Sequence, residues 1–246
     1  MSKKLKIRSF LLTLVFLKII RSAFLGHYEH IFVCVLTIFL FNIPLFIDKN
    51  LKIDIPPLLE SIIYLFIFSA EILGEVNSFY TKVPHFDTIL HTINGFLMGA
   101  IGISLIDILN RSDRFTFNLS PAFVSFVSFC FSMTVGVIWE FFEFFMDYYF
   151  NTDMQKDYII TQINSVLLNP DGLNVVEHMK IESLYVNGID FMEKFGGYID
   201  VGIIDTMKDL FVNFIGAVVF SVLGYIYIKN RGKNTFISGL IPKFKF

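Results

Sequence analysis

Charge is what this 246-residue chain has least of: 17% of its residues are Asp, Glu, Lys or Arg, against about 25% in an ordinary soluble domain. It holds 2 cysteines, 1 tryptophan and 7 prolines, and its net charge of −2 leaves no basic surplus. The scarcity of charge excludes a soluble enzyme and a disordered chain, and the missing basic surplus excludes a nucleic-acid partner. Cys34 and Cys130 both sit inside apolar runs, so no disulfide is expected. What the chain has in plenty is lipid-type material. Hydrophobic residues make up 54%, with 31 phenylalanines, in long runs broken by short polar stretches.

A membrane span needs about 20 mostly apolar residues. Residues 31–47, 57–73, 88–109, 119–139 and 210–228 qualify. A sixth run, 9–25, carries Lys18 and Arg21 and has no small-residue cleavage site after it, so it reads as an uncleaved helix. With six crossings, the basic residues Lys3, Lys4, Lys6, Arg8, Lys49, Lys52, Arg111, Arg114 and those from Lys229 onward fall on one side. Only Lys82, Lys156, Lys180, Lys194 and Lys208 fall on the other, as the bias of cytoplasmic loops toward Lys and Arg requires. The expected fold is therefore all-α: a polytopic membrane bundle of about six helices with both termini cytoplasmic. The competing arrangement lays 9–25 flat at the interface. Along the chain, 1–147 hold five helices and 148–204 a small extracytoplasmic loop or cap. Residues 205–230 form the last helix and 231–246 a basic tail. The cap assignment rests on turn signals such as Asn169-Pro170-Asp171-Gly172 between short β-prone stretches.

The ionisable residues fall in stripes. Glu71 and Glu75 are four apart. Asp87, His91 and Asn94/Gly95 share one helical face, as do Gly136, Glu140, Glu143 and Asp147, and Asp205, Asp209, Asn213 and Gly216. All lie toward the outer side, as do Lys18 and Arg21. A charge at membrane depth costs roughly 2.5–3.5 kcal/mol, so such stripes are expected to face one another around a polar chamber opening outward. An excess of carboxylates with one imidazole suits a cation. Asp87, His91, Glu140, Glu143 and Asp209 are the candidate catalytic residues. Asp87, His91, Glu140 and Asp209 are the candidate ligands of one divalent metal ion. Lys18, Arg21, Lys208 and Asn213 are candidates to hold an anionic headgroup. Each residue alone also has an ordinary reading. Glu71, Glu140 and Asp209 would pair with Lys18, Arg21 or Lys208, Glu75, Asp147 and Asp205 would be solvated, and Gly95, Gly99 and Gly102 would serve close helix packing.

At these residues the chain resembles the YjdF-like family of bacterial membrane proteins, through Asp87-x-x-x-His91, Trp139-Glu140-x-x-Glu143 and Asp205-x-x-Lys208-Asp209 with Asn213 and Gly216-Ala217. More distantly, Asp209-x-x-x-Asn213-x-x-Gly216 is similar to an element of the VanZ-like proteins associated with teicoplanin resistance. This sequence departs from the VanZ-like pattern in having Glu143 where Gln is usual and in its longer outer loop. The resemblance implies a bacterial plasma membrane and a cell-envelope setting, with membrane lipids as partners. The leading functional expectation is a metal-dependent enzyme acting on an envelope lipid or polyprenyl phosphate. A proton- or cation-coupled transporter, or a structural or sensory protein without catalysis, are the alternatives.

Overall fold

The computed structural model describes residues 3–50, 53–110, 119–230 and 235–244. Lys52, Arg111, Arg114, Arg231, Lys233 and Lys245, which entered the charge argument, lie outside the described residues. In chain order the elements are α1 (Lys3–Leu25), α2 (Tyr28–Leu40), α3 (Ile43–Asn50), β1 (Ile53–Asp54), α4 (Pro57–Phe68), a π-helical segment (Ser69–Val76), α5 (Phe79–Lys82), α6 (Phe86–Asn110) and α7 (Pro121–Phe150). Then come β2 (Ile159–Ile160), β3 (Gln162–Ser165), β4 (Glu177–Lys180), β5 (Tyr185–Val186), β6 (Ile189–Asp190), α8 (Phe191–Phe195) and β7 (Tyr198–Ile199). α9 (Ile203–Lys229), α10 (Thr235–Ser238) and β8 (Lys243–Phe244) complete the chain.

Five helical stretches are long and apolar enough to cross a membrane: Tyr28–Asn50, Pro57–Val76, Phe86–Ile106, Pro121–Phe150 and Ile203–Lys229. Exposed side chains such as Phe24, Phe32 and Phe39 cover α1 and α2, an apolar surface that water does not tolerate and lipid does. The molecule is an all-α, multi-pass membrane protein. α7, at 30 residues, is about 45 Å long at 1.5 Å per residue, well beyond a hydrocarbon core of about 30 Å.

The chain divides into two compact units, one of residues 1–138 with 209–246 and the other of residues 139–208. In the first, α1 is a sixth long helix, packed lengthwise and antiparallel against α2. Leu11 is buried with Phe41 and Tyr64, and Val15 with Cys34, Ile72 and Val76. Gly26, at φ +75°, makes the tight turn between the two helices, where the absence of a Cβ removes the steric cost. A helix lying along a span over this length shares its direction, which disfavours the arrangement flat at the interface.

Proline breaks the second span. Pro44 has no N–H to bond the carbonyl four residues back and continue the ladder, so α2 ends at Leu40 and α3 begins at Ile43. Arg8 of α1 docks on this break, its guanidinium donating to Asn42 Oδ1 at 3.0 Å and to the Phe41 carbonyl at 3.4 Å. The third span departs from α geometry over Ser69–Val76. Its last turn is closed by the Asn77 N–H on the Ile72 carbonyl at 3.0 Å, a five-residue step. Within this segment Glu71 is half-buried and Glu75 exposed.

α6 is the central helix of this unit, held between α7 and α9 by small residues. Ser128 and Ser132 of α7 donate their hydroxyls to the carbonyls of Gly99 and Gly95, both at 2.7 Å. On the other flank Gly95 abuts the backbone of Asn213, and Gly216 abuts the carbonyl of Thr92. Toward the Asn110 end of α6 the core is apolar, with Leu59, Leu97, Ile103 and Phe220. The C-terminal stretch returns into that core. Ile237, Leu240 and Ile241 are buried in it, the Gly239 carbonyl accepts from the Leu59 N–H, and β8 pairs antiparallel with β1.

The second unit contains β2–β7 and α8 with the adjoining ends of α7 and α9. Three short antiparallel pairs, β2 with β7, β3 with β4 and β5 with β6, form its sheet structure. Aspartates organise the connections. Asp147 accepts from Thr152 Oγ1 and from the backbone N–H groups of Met154 and Gln155 at 2.7–2.8 Å. Asp205 accepts from the Lys156 N–H at 2.7 Å. Asp200 accepts from Tyr158, Gly202 and Ile204 N–H groups at 2.7, 3.2 and 2.9 Å.

Candidate functional site

In the first unit the structure brings together three of the candidate residues. Asp87 and His91 lie one turn apart near the start of α6, and Asp209 stands near the start of α9. His91 Nε2 is 3.5 Å from Asp87 Oδ1 and 3.8 Å from Asp209 Oδ2. One ligand atom from each of the three lies within 4.8 Å of the others. His91 is 7% exposed and Asp209 3%, while the Asp87 side chain, at 27%, opens to the surroundings. The two carboxylates thus flank one imidazole nitrogen on a patch with a single open edge.

One turn deeper sits a second polar layer. Asn213, at 1% exposure, accepts from Asn94 Nδ2 at 3.2 Å and donates to Met133 Sδ at 3.7 Å. Gly95 and Gly136 lie directly against it, so any larger residue at either position meets Asn213. The side chain is locked between three helices. Its place beneath His91 and Asp209 is that of a spacer fixing α6 to α9; the contact with Asn94 joins two of the polar stripes, whereas the one with Met133 had no signal in the sequence.

Lys18 and Arg21 stand elsewhere in this unit. Lys18 Nζ donates to Asn77 Oδ1 at 2.6 Å, and Arg21 is exposed. Glu60 went unnoticed in the sequence because it lies in a run that reads as plainly apolar. It is buried in α4 and accepts from Tyr64 Oη at 2.8 Å.

In the second unit, Glu140 and Glu143 are both buried on α7. Glu143 Oε1 accepts from Trp139 Nε1 at 2.8 Å, one turn back on the same helix. Lys208 is exposed, with its ammonium 3.5 Å from the centroid of the Tyr158 ring, a cation–π contact. Asp147 and Asp205, expected to be solvated, instead bind backbone N–H groups of residues 154–156. Beside them Asp157 is pushed above the ordinary carboxylate range by burial and by the charges of Asp153, Asp200 and Asp147.

No curated protein and no solved structure matches the chain. One family does: residues 7–230 match the family described as Predicted membrane protein (DUF2238), and with nearly the whole length covered the chain belongs to that family.

Proposed function

We propose that Asp87, His91 and Asp209 hold one divalent metal ion, and that the protein is a metal-dependent enzyme of the bacterial plasma membrane acting on an envelope lipid or polyprenyl phosphate. The observation that carries this reading is the convergence of three donors from two helices within 4.8 Å, two of them buried. One imidazole nitrogen with two carboxylates suits a borderline divalent ion such as zinc, manganese or iron. Such an ion, when bound, polarises a phosphoryl oxygen and makes its own water acidic. The partly open Asp87 edge is where a substrate would enter. Glu140 and Glu143 are the candidates for general acid–base work, and Lys208 for steadying the anionic group. Asn213 is a positioning residue in this reading, and Asp209, Asn213 and Gly216 extend it to the distant VanZ-like resemblance. Transport is less well supported. Past Asn94 and Asn213 the core turns to Leu97, Ile103 and Phe220 and is closed by Ile237, Leu240 and Ile241.

The test is metal content of the full chain purified in mild detergent, beside His91→Ala and Asp209→Asn. One stoichiometric divalent ion in the wild type, lost in both variants, is the expected result. A wild type that stays metal-free after incubation with Mg²⁺, Mn²⁺ and Zn²⁺ overturns the reading. Release of inorganic phosphate from a polyprenyl phosphate, abolished by Asp209→Asn and Glu140→Gln with the metal retained in the latter, tests the enzymatic half.

A further inference from the structure

At the Gly26 end of α1 two cations meet around one asparagine, and a third, Arg21, follows one helical turn along α1. Lys18 Nζ donates to Asn77 Oδ1 at 2.6 Å, and Lys82 Nζ to the Asn77 carbonyl at 3.1 Å. One residue therefore gathers two ammonium groups from helices 59 positions apart and 5 positions apart in sequence. Arg21 follows Lys18 by three residues on α1, the spacing of neighbours on one helical face. Among the described residues, none of the three forms an ion pair with a carboxylate. Gathering like charges at a low-dielectric boundary is unfavourable unless an anion sits among them.

The donors that remain are many. An ammonium carries three N–H groups and a guanidinium five, so each lysine has two left and Arg21, which makes no hydrogen bond among the described residues, has all of its own. An anion with several acceptor oxygens on one centre fits that supply, and bidentate Arg–phosphate contact is the geometry guanidinium favours. The surroundings of Arg21 select among phosphates. Leu17, Ile20 and Phe24 lie four and one residues before it and three after it, and all are exposed. A strip of apolar surface therefore runs along α1 beside the charge, the arrangement that accommodates a headgroup and its acyl chain together.

We propose that Lys18, Arg21 and Lys82 form a binding site for the phosphodiester group of an anionic phospholipid whose acyl chain lies along Leu17, Ile20 and Phe24. The proposal shares the anionic-lipid class with the function above, yet lipid retention is measured without turnover or metal, so either can fail alone. The experiment places the full chain in nanodiscs of equal parts phosphatidylcholine and phosphatidylglycerol, then extracts it gently and counts retained lipid by native mass spectrometry. The wild type is expected to keep phosphatidylglycerol over phosphatidylcholine. Arg21→Gln and Lys82→Gln are each expected to lower that preference about fivefold, the effect of one cation beside an anionic surface, and Lys82→Arg to preserve it. Among the described residues Arg21 supports no hydrogen bond, so loss in Arg21→Gln with an unchanged unfolding transition reports on the site. Equal retention of the two lipids by the wild type, or a preference unchanged in the Arg21→Gln/Lys82→Gln double variant, overturns the proposal. Full displacement of the retained phosphatidylglycerol by inorganic phosphate would assign the site to the free anion and overturn it as well.

Discussion

Replacing Gly95 by alanine tests whether the donor cluster depends on close backbone approach. In an isolated helix the change is favourable by about 1 kcal/mol, the difference in helix propensity. Here the added Cβ is driven into the Asn213 carbonyl oxygen, with the carbonyl carbon at 2.9 Å and Ala217 N at 3.1 Å. These are backbone atoms of α9 and have no rotamer to escape into. Restoring contact distance needs a separation of α6 from α9 on the order of 1 Å. Overpacking of this kind costs about 1–3 kcal/mol, with backbone clashes at the upper end. The Ser132 hydroxyl bond to the Gly95 carbonyl is disturbed as well, for about 0.6–1.7 kcal/mol. After subtracting the propensity gain, a net loss of about 3 kcal/mol is expected. His91 is one turn from Gly95, and Asp209 one turn from Asn213. The same separation therefore widens the 3.8 Å gap between His91 and Asp209, beyond the roughly 0.2 Å that metal–ligand distances tolerate. The control is Gly224→Ala, whose Cβ meets the Cδ1 end of Ile103, the tip of a side chain and not the backbone of a neighbouring helix. Unfolding by SDS titration in mild detergent, with metal content measured in parallel, reads both effects. If Gly95→Ala is as stable as Gly224→Ala and still binds metal, the reasoning is refuted.

Three further outcomes follow from the same geometry. Leu240→Ala removes a side chain 1% exposed from the apolar end of the first unit and should cost about 2–5 kcal/mol in the same titration; an unchanged midpoint would show that the C-terminal stretch does not hold the core. Asp200→Ala removes the acceptor for three backbone N–H groups, each charge-assisted bond being worth about 1.5–3 kcal/mol. Amide exchange at Tyr158, Gly202 and Ile204 should accelerate by orders of magnitude while that of α6 is unaffected. The Glu193 N–H, with the Tyr185 phenol and the Met192 N–H, holds the Asp190 carboxyl below the ordinary carboxylate range. A depressed folded-state value stabilises above the unfolded aspartate's value of about 3.9 and loses that contribution as pH falls through the folded value. Exchange protection at Met192 and Glu193 should therefore be full at neutral pH and fade as pH falls below the ordinary carboxylate range, and Asp190→Asn should flatten that dependence.

The spans were legible because lipid leaves little choice: a backbone in hydrocarbon must satisfy its own hydrogen bonds, and only long apolar helices do so. Their interruptions were harder to read. Pro44 carried a warning in its missing N–H, but the π-helical turn at Ser69–Val76 has no residue that announces it. The ring of Tyr80 fills the space left by Gly74, a contact settled in three dimensions. Asp147 and Asp205 show the other limit of stripe reasoning. Helical spacing says which way a carboxylate points, and it is silent on the loop that folds back to meet it. Both were expected in water, and both are occupied by backbone N–H groups of the connection between α7 and α9.

The donor cluster was legible in half. Spacing alone put Asp87 and His91 on one face of α6, four residues apart. Nothing in the sequence fixed the distance from that face to Asp209 on α9, and the glycines decide it. Gly95 abuts the Asn213 backbone and Gly216 the Thr92 carbonyl, bringing the two helices so close that side chains as short as aspartate and histidine reach across. With bulkier residues at these positions the helices stand farther apart, at the 8–10 Å axis separation of ordinary helix packing. In the sequence Gly95 reads as a small residue for close helix packing, and the acids as a stripe on a helical face. In the structure the packing determines the cluster's geometry, since the close approach that Gly95 and Gly216 permit is what lets Asp87, His91 and Asp209 converge.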